Sequence, residues 1–152
     1  METKLVIAVQ NSANCGKTTT LRYLMDLIKI KYEEKITIIR EIEIYNNNND
    51  FIFDFSVNNL KFSILSEGDV GGKVSENLDK LENSDIIICT TRTKGSTVEA
   101  VKNFRNKYKA KLIWSRTYTV DKEIKKNNES IKEANMLKAE HLLKLLQDQN
   151  LL

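Results

Sequence analysis

The order of apolar segments constrains this chain more than any other feature. Leu5-Val6-Ile7-Ala8-Val9 is a continuous apolar run, rich in β-branched residues and ending in polar ones. A run of that length and type reads as a strand buried on both faces. The next segment carries Leu21, Leu24, Met25, Ile28 and Tyr32 on one helical face. Ile36 to Tyr45 is β-branched and partly alternating, which predicts a second strand. Phe51, Phe53 and Phe55 alternate with Ile52 and Asp54, and Asn58-Asn59 separates them from Leu60 to Leu65, the pattern of a β-hairpin. Then come a helix with Val74, Leu78 and Leu81, a strand from Asp85 to Cys89, a helix from about Ser96 with Val98, Val101, Phe104 and Tyr108 inward, and a strand over Lys111-Leu112-Ile113-Trp114. A long terminal helix is expected over about 127–149, with Ile131, Ala134, Leu137, Leu142, Leu145 and Leu146 as its stripe. Strands alternating with helices predict an α/β fold: a mostly parallel sheet, helices on both faces, and one antiparallel hairpin. There is no repeat and no linker, so the 152 residues are read as a single domain, 1–152.

Composition narrows the function classes. A net charge of +3 is too mild to argue for a nucleic-acid partner. Cys15, Cys89 and the single histidine, His141, form no metal-ligand spacing, which argues against zinc or haem. Met1 to Lys4 leads into only five apolar residues, too short for a secretory core, and no apolar run approaches the roughly 20 residues that span a bilayer. The expectation is a cytoplasmic protein with no membrane partner.

In parallel α/β sheets, ligands bind at the carboxyl ends of the strands. The first such end reads Asn11-Ser12-Ala13-Asn14-Cys15-Gly16-Lys17-Thr18. The phosphate-loop pattern G-x-x-x-x-G-K-[ST], set between a strand and a helix, is matched at Gly16, Lys17 and Thr18. Asn11 stands where the first glycine belongs, and asparagine tolerates left-handed backbone better than most residues. A helix beginning here points unpaired N–H groups and its positive dipole end at a bound anion. Gly16 lets the backbone approach a phosphate, Lys17 is expected to be exposed and to reach the β- and γ-phosphates, and the Thr18 hydroxyl suits Mg²⁺. The segment resembles the P-loop NTPase superfamily, with a slightly degenerate Walker A motif. That resemblance implies a three-layer P-loop fold, a nucleoside triphosphate with Mg²⁺ as cofactors, and nucleotide contacts from Asn11, Asn14, Cys15, Gly16, Lys17, Thr18 and Thr19, with Lys17 also acting in catalysis.

A second loop, Ser66-Glu67-Gly68-Asp69-Val70-Gly71-Gly72, follows the predicted strand over Leu60 to Leu65. Asp69 and Gly72 resemble the D-x-x-G of GTPases and related P-loop proteins, which implies Asp69 on Mg²⁺ and the Gly72 amide on the γ-phosphate. Glu67 is a second carboxylate that could polarise a water as general base. Which of the two serves the metal stays open, and both could instead cap the helix that follows. Arg92 and Lys94, after the Ile86–Cys89 run, are placed to neutralise γ-phosphate charge or bind an acceptor. Arg116 and Tyr118 are candidates to stack on a base.

The guanine-reading pattern [NT]-K-x-D finds only Thr93-Lys94-Gly95-Ser96, with Ser96 where the acid belongs. ATP is therefore the expected nucleotide, by elimination. Three functions follow: a Mg²⁺-dependent ATP hydrolase; a small-molecule or nucleotide kinase, disfavoured because the five arginines are scattered; and an ATP-dependent interaction module whose partner is another protein or a second copy of the chain.

Overall fold

The computed structural model describes residues 5–12, 16–44, 49–67, 71–120 and 128–152. Six strands and four helices follow one another as β1 (Leu5–Gln10), α1 (Lys17–Lys31), β2 (Thr37–Glu43), β3 (Phe51–Val57), β4 (Leu60–Leu65), α2 (Gly71–Asp79), β5 (Ile86–Thr91), α3 (Ser96–Tyr108), β6 (Lys111–Arg116) and α4 (Asn128–Asp148). The strands form one sheet in the order β2-β3-β4-β5-β1-β6.

Three neighbouring pairs are parallel: β4 with β5, β5 with β1, and β1 with β6. The hairpin between β3 and β4 forms as the sequence predicts. Its turn is Asn58-Asn59, both at positive φ of 55° and 63°, the geometry that matches a hairpin to the strand twist. The structure adds a second antiparallel pairing, β2 with β3, broken by an irregularity between Ile38 and Arg40. The antiparallel part is thus a three-strand meander rather than one hairpin. Nothing local in Ile36 to Tyr45 fixes which strand it joins.

Alternation along the strands divides the core in two. Leu5, Ile7 and Val9 face one cluster with Leu21, Leu24 and Ile28 of α1 and Ala139, Leu142 and Leu146 of α4, while Phe51, Phe53, Phe55 and Phe62 fill its far end. Val6, Ala8, Ile87 and Cys89 face the other cluster, with Val74 and Leu78 of α2 and Val101 and Phe104 of α3. The helices therefore cover both faces, and β1 and β5 are buried along nearly their whole length. The buried stripe of α4 is Asn135, Ala139, Leu142, Leu143 and Leu146, a truer 3.6-residue repeat than the one expected. Leu137, assigned to that stripe by the sequence, is 46% exposed. No helix among the described residues is long and apolar enough to cross a membrane.

The parallel strands β4, β5, β1 and β6 bring their carboxyl ends to one rim. Because β3 runs the opposite way, that same rim receives its beginning, Asp50 and Phe51.

Candidate functional site

Gly16 heads α1 at φ 79° and ψ 12°, left-handed backbone that a side chain disfavours. A Cβ on Gly16 would also stand 2.4 Å from Asn135 Oδ1, far inside van der Waals contact. Glycine is required here twice, by conformation and by space. The first turn of α1 holds no acidic residue, so nothing of its own neutralises the positive end of the helix.

Lys17, the first residue of α1, is buried at 6% exposure rather than exposed as expected. Its Nζ donates to Asn11 O at 2.9 Å and Thr91 O at 3.2 Å. The ammonium thus bridges the ends of β1 and β5, which run side by side with Gln10 opposite Thr91. Asn11 does not take the positive φ that its place in the motif suggested. Its N–H continues the sheet by donating to Thr91 O at 3.2 Å. Its side chain is spent on the loop after β6: Nδ2 donates to Thr117 Oγ1 at 2.7 Å, and Oδ1 accepts from Ser12 N at 2.8 Å. Asn11 is a tie between two strand ends.

Thr18 donates its hydroxyl to Asp50 Oδ1 at 2.8 Å. Ser66 donates to the same oxygen at 3.0 Å and accepts from Phe51 N at 2.8 Å. Asp50 is 4% exposed. Sequence reasoning missed this residue because it looked for acids at the ends of parallel strands. The signal was present in the predicted hairpin, since an antiparallel β3 must start on the rim where β4 ends. A hydroxyl and a carboxylate together suit Mg²⁺, which takes one or two carboxylates and fills its remaining positions with water and phosphate oxygens. No group of three or more His, Cys, Asp or Glu among the described residues is arranged to hold a metal.

Glu67 follows Ser66 at the end of β4 and is buried, with Lys73 Nζ 3.8 Å from its carboxylate. The strand β5 lies between β4 and β1, so the end of β4 is two strands away from the end of β1. Thr90 Oγ1 of β5 ties to the end of β4 by donating to Ser66 O at 2.5 Å. Thr91 Oγ1 is buried and has no hydrogen-bond partner among the described residues. Arg92 is exposed on the same rim, and its backbone N–H donates to Thr97 Oγ1 at 3.0 Å. Thr19 is exposed on the first turn of α1, and Gly72 is exposed on the first turn of α2. Asn14, Cys15 and Asp69 lie outside the described residues. Ser96 packs at the head of α3 against Gly71, where a Cβ would meet it at 2.5 Å.

On the other side of β1, Tyr118 and His141 meet edge to face, with the phenol hydroxyl on His141 Nδ1. Lys138 Nζ donates to Ser115 Oγ at 2.6 Å and stands 5.4 Å over the Tyr118 ring. Partial burial lowers the Lys138 pKa from its ordinary value. Arg116 is exposed beside them. Burial pushes the Cys89 thiol up to about 12, which makes it inert in the core.

No protein-family model matches the chain, and no curated protein is significantly similar to it in sequence.

Proposed function

We propose that the chain is a P-loop nucleotide-binding protein that binds ATP with Mg²⁺ and hydrolyses it. The observation that carries the reading is the head of α1: left-handed Gly16, then Lys17 and Thr18, on the rim where the parallel strands end. The helices packed on both faces of the sheet support a three-layer P-loop arrangement.

In this reading the first-turn N–H groups of α1 take the phosphate chain. Lys17 leaves the carbonyls of Asn11 and Thr91 for the β- and γ-phosphates. Thr18 and Asp50 hold the cation, with Asp69 as the second candidate carboxylate. Bound Mg²⁺ supplies charge neutralisation on the phosphate oxygens. Glu67 accepts a proton from a water as its oxygen bonds to the γ-phosphorus, and the bond from that phosphorus to the β–γ bridging oxygen breaks, leaving ADP and inorganic phosphate. Thr91 Oγ1 orients that water, and Arg92 meets the charge that develops on the transferred group.

The arginines count against a kinase lid. Arg22 is held by Glu43 and the Asn49 carbonyl, and Arg40 by Asp54. A single-turnover assay with ATP, Mg²⁺ and no acceptor tests the reading. Phosphate release is expected. ADP formation only after an acceptor is added would favour the kinase, and binding without turnover would favour the interaction module.

A further inference from the structure

Asn135 is a buried polar side chain beside Gly16 that the proposed chemistry leaves without a task. It lies on α4, is 5% exposed, and interrupts a stripe of Ala139, Leu142, Leu143 and Leu146. Burying a carboxamide is unfavourable unless its donors and acceptor are paired. Among the described residues its one hydrogen bond is from Thr20 Oγ1 to Oδ1, at 3.4 Å. That occupies the acceptor end. Nδ2, with two N–H donors, has no partner among the described residues. The amide also lies directly against Gly16: an ideal Cβ there would be 2.4 Å from Oδ1 and 3.0 Å from Nδ2. Nδ2 is thus held beside the amino end of α1, where the helix dipole already favours an anion.

We propose that Asn135 is a phosphate-binding residue delivered by the terminal helix, its Nδ2 donating to an oxygen of the nucleotide's phosphate chain. The proposal rests on the nucleotide reading above. It makes α4 part of the site, where the sequence marked it only as an amphipathic cover. It also explains the placement of an asparagine in a stripe that leucine or alanine would otherwise fill. Thr20 holds the acceptor end, which leaves the two Nδ2 donors, also beside Gly16, for a ligand.

The test measures affinity for Mg·ATP and for inorganic pyrophosphate in the wild type, Asn135→Asp and Asn135→Ala, with Lys17→Ala as reference. Asn135→Asp keeps the size of the side chain and an acceptor for Thr20, but replaces the donor with a negative charge. Its affinity for both ligands is expected to fall about tenfold or more at pH 8, the scale of a lost hydrogen bond to a charged group. Relative to the wild type, the loss is expected to shrink as the pH falls through the carboxylate range, because the protonated acid can donate again. A purely packing role predicts no such pH dependence. Asn135→Ala removes the donor without adding charge, so a loss of about fivefold or more supports the proposal even if the aspartate variant does not fold. If the wild type binds, Lys17→Ala does not, and the Asn135 variants that fold match the wild type, the proposal is overturned while the phosphate-loop reading stands. A loss with ATP alone and not with pyrophosphate also overturns it. No binding by the wild type would be a failure of the phosphate loop itself.

Discussion

Replacing Gly16 by alanine tests the geometry of the loop independently of any ligand. Two costs are visible. The backbone at φ 79° is left-handed, which costs an alanine about 1–2 kcal/mol. The new Cβ would stand 2.4 Å from Asn135 Oδ1, so the amide must move. Moving it gives up the Thr20–Asn135 bond, worth roughly 0.5–1.5 kcal/mol. The sum is about 1.5–3.5 kcal/mol, or a fall in Tm of roughly 3–14 °C at the 2–4 °C per kcal/mol typical of a chain this size. Thermal and urea denaturation of Gly16→Ala, Asn135→Ala and the double variant would measure it. Because the alanine at 135 clears the space, the double variant is expected to be more stable than additivity predicts, by about 1 kcal/mol. A Gly16→Ala chain within about 0.5 kcal/mol of the wild type would refute both the left-handed cap and the contact with α4, and a strictly additive cycle would refute the contact alone.

Three further outcomes follow from the described contacts. Asp50→Asn is expected to weaken ATP binding about tenfold in Mg²⁺ and little in EDTA, while Asp69→Asn measured beside it shows which carboxylate serves the cation; equal losses with and without metal for Asp50→Asn would reduce it to a partner of Thr18 and Ser66. Thr91→Val removes a buried hydroxyl that has no partner among the described residues, so it should leave Tm unchanged or raised and ATP affinity intact while slowing phosphate release; unchanged release would remove Thr91 from the chemistry. With its thiol pushed up to about 12, Cys89 in a Cys15→Ser chain should resist alkylation at pH 8, where only about one thiol in 10⁴ is ionised, and react on unfolding; rapid labelling of the native chain would contradict its burial.

What the sequence disclosed was local. The run from Leu5 through Gly16 to Ile28 carries its own strand, turn and helix signals, and the Asn58-Asn59 turn announces the hairpin by chemistry confined to two residues. What it withheld was tertiary. No periodicity says that β5 lies between β1 and β4, so the distance between the two expected loops was not legible. Asp50 became a site residue only through the direction of β3. Asn135 was hidden because the expected stripe of α4 followed its leucines, whereas packing on α1 selected the face that holds Asn135 and Ala139. Asn11 filled a glycine position for a reason no motif records, a side-chain tie to Thr117 on the loop after β6.

Calorimetric titration of the purified chain with ATP in the presence of Mg²⁺, run beside Lys17→Ala, tests the central claim most directly. Nζ of Lys17 bonds to two backbone carbonyls, Asn11 O and Thr91 O, so circular dichroism must first establish that the variant folds. The account predicts saturable binding of one ATP per wild-type chain, weakened by chelating the metal and lost in the folded Lys17→Ala variant. Equal ATP affinity in the two folded proteins, or no binding by the wild type, would contradict it.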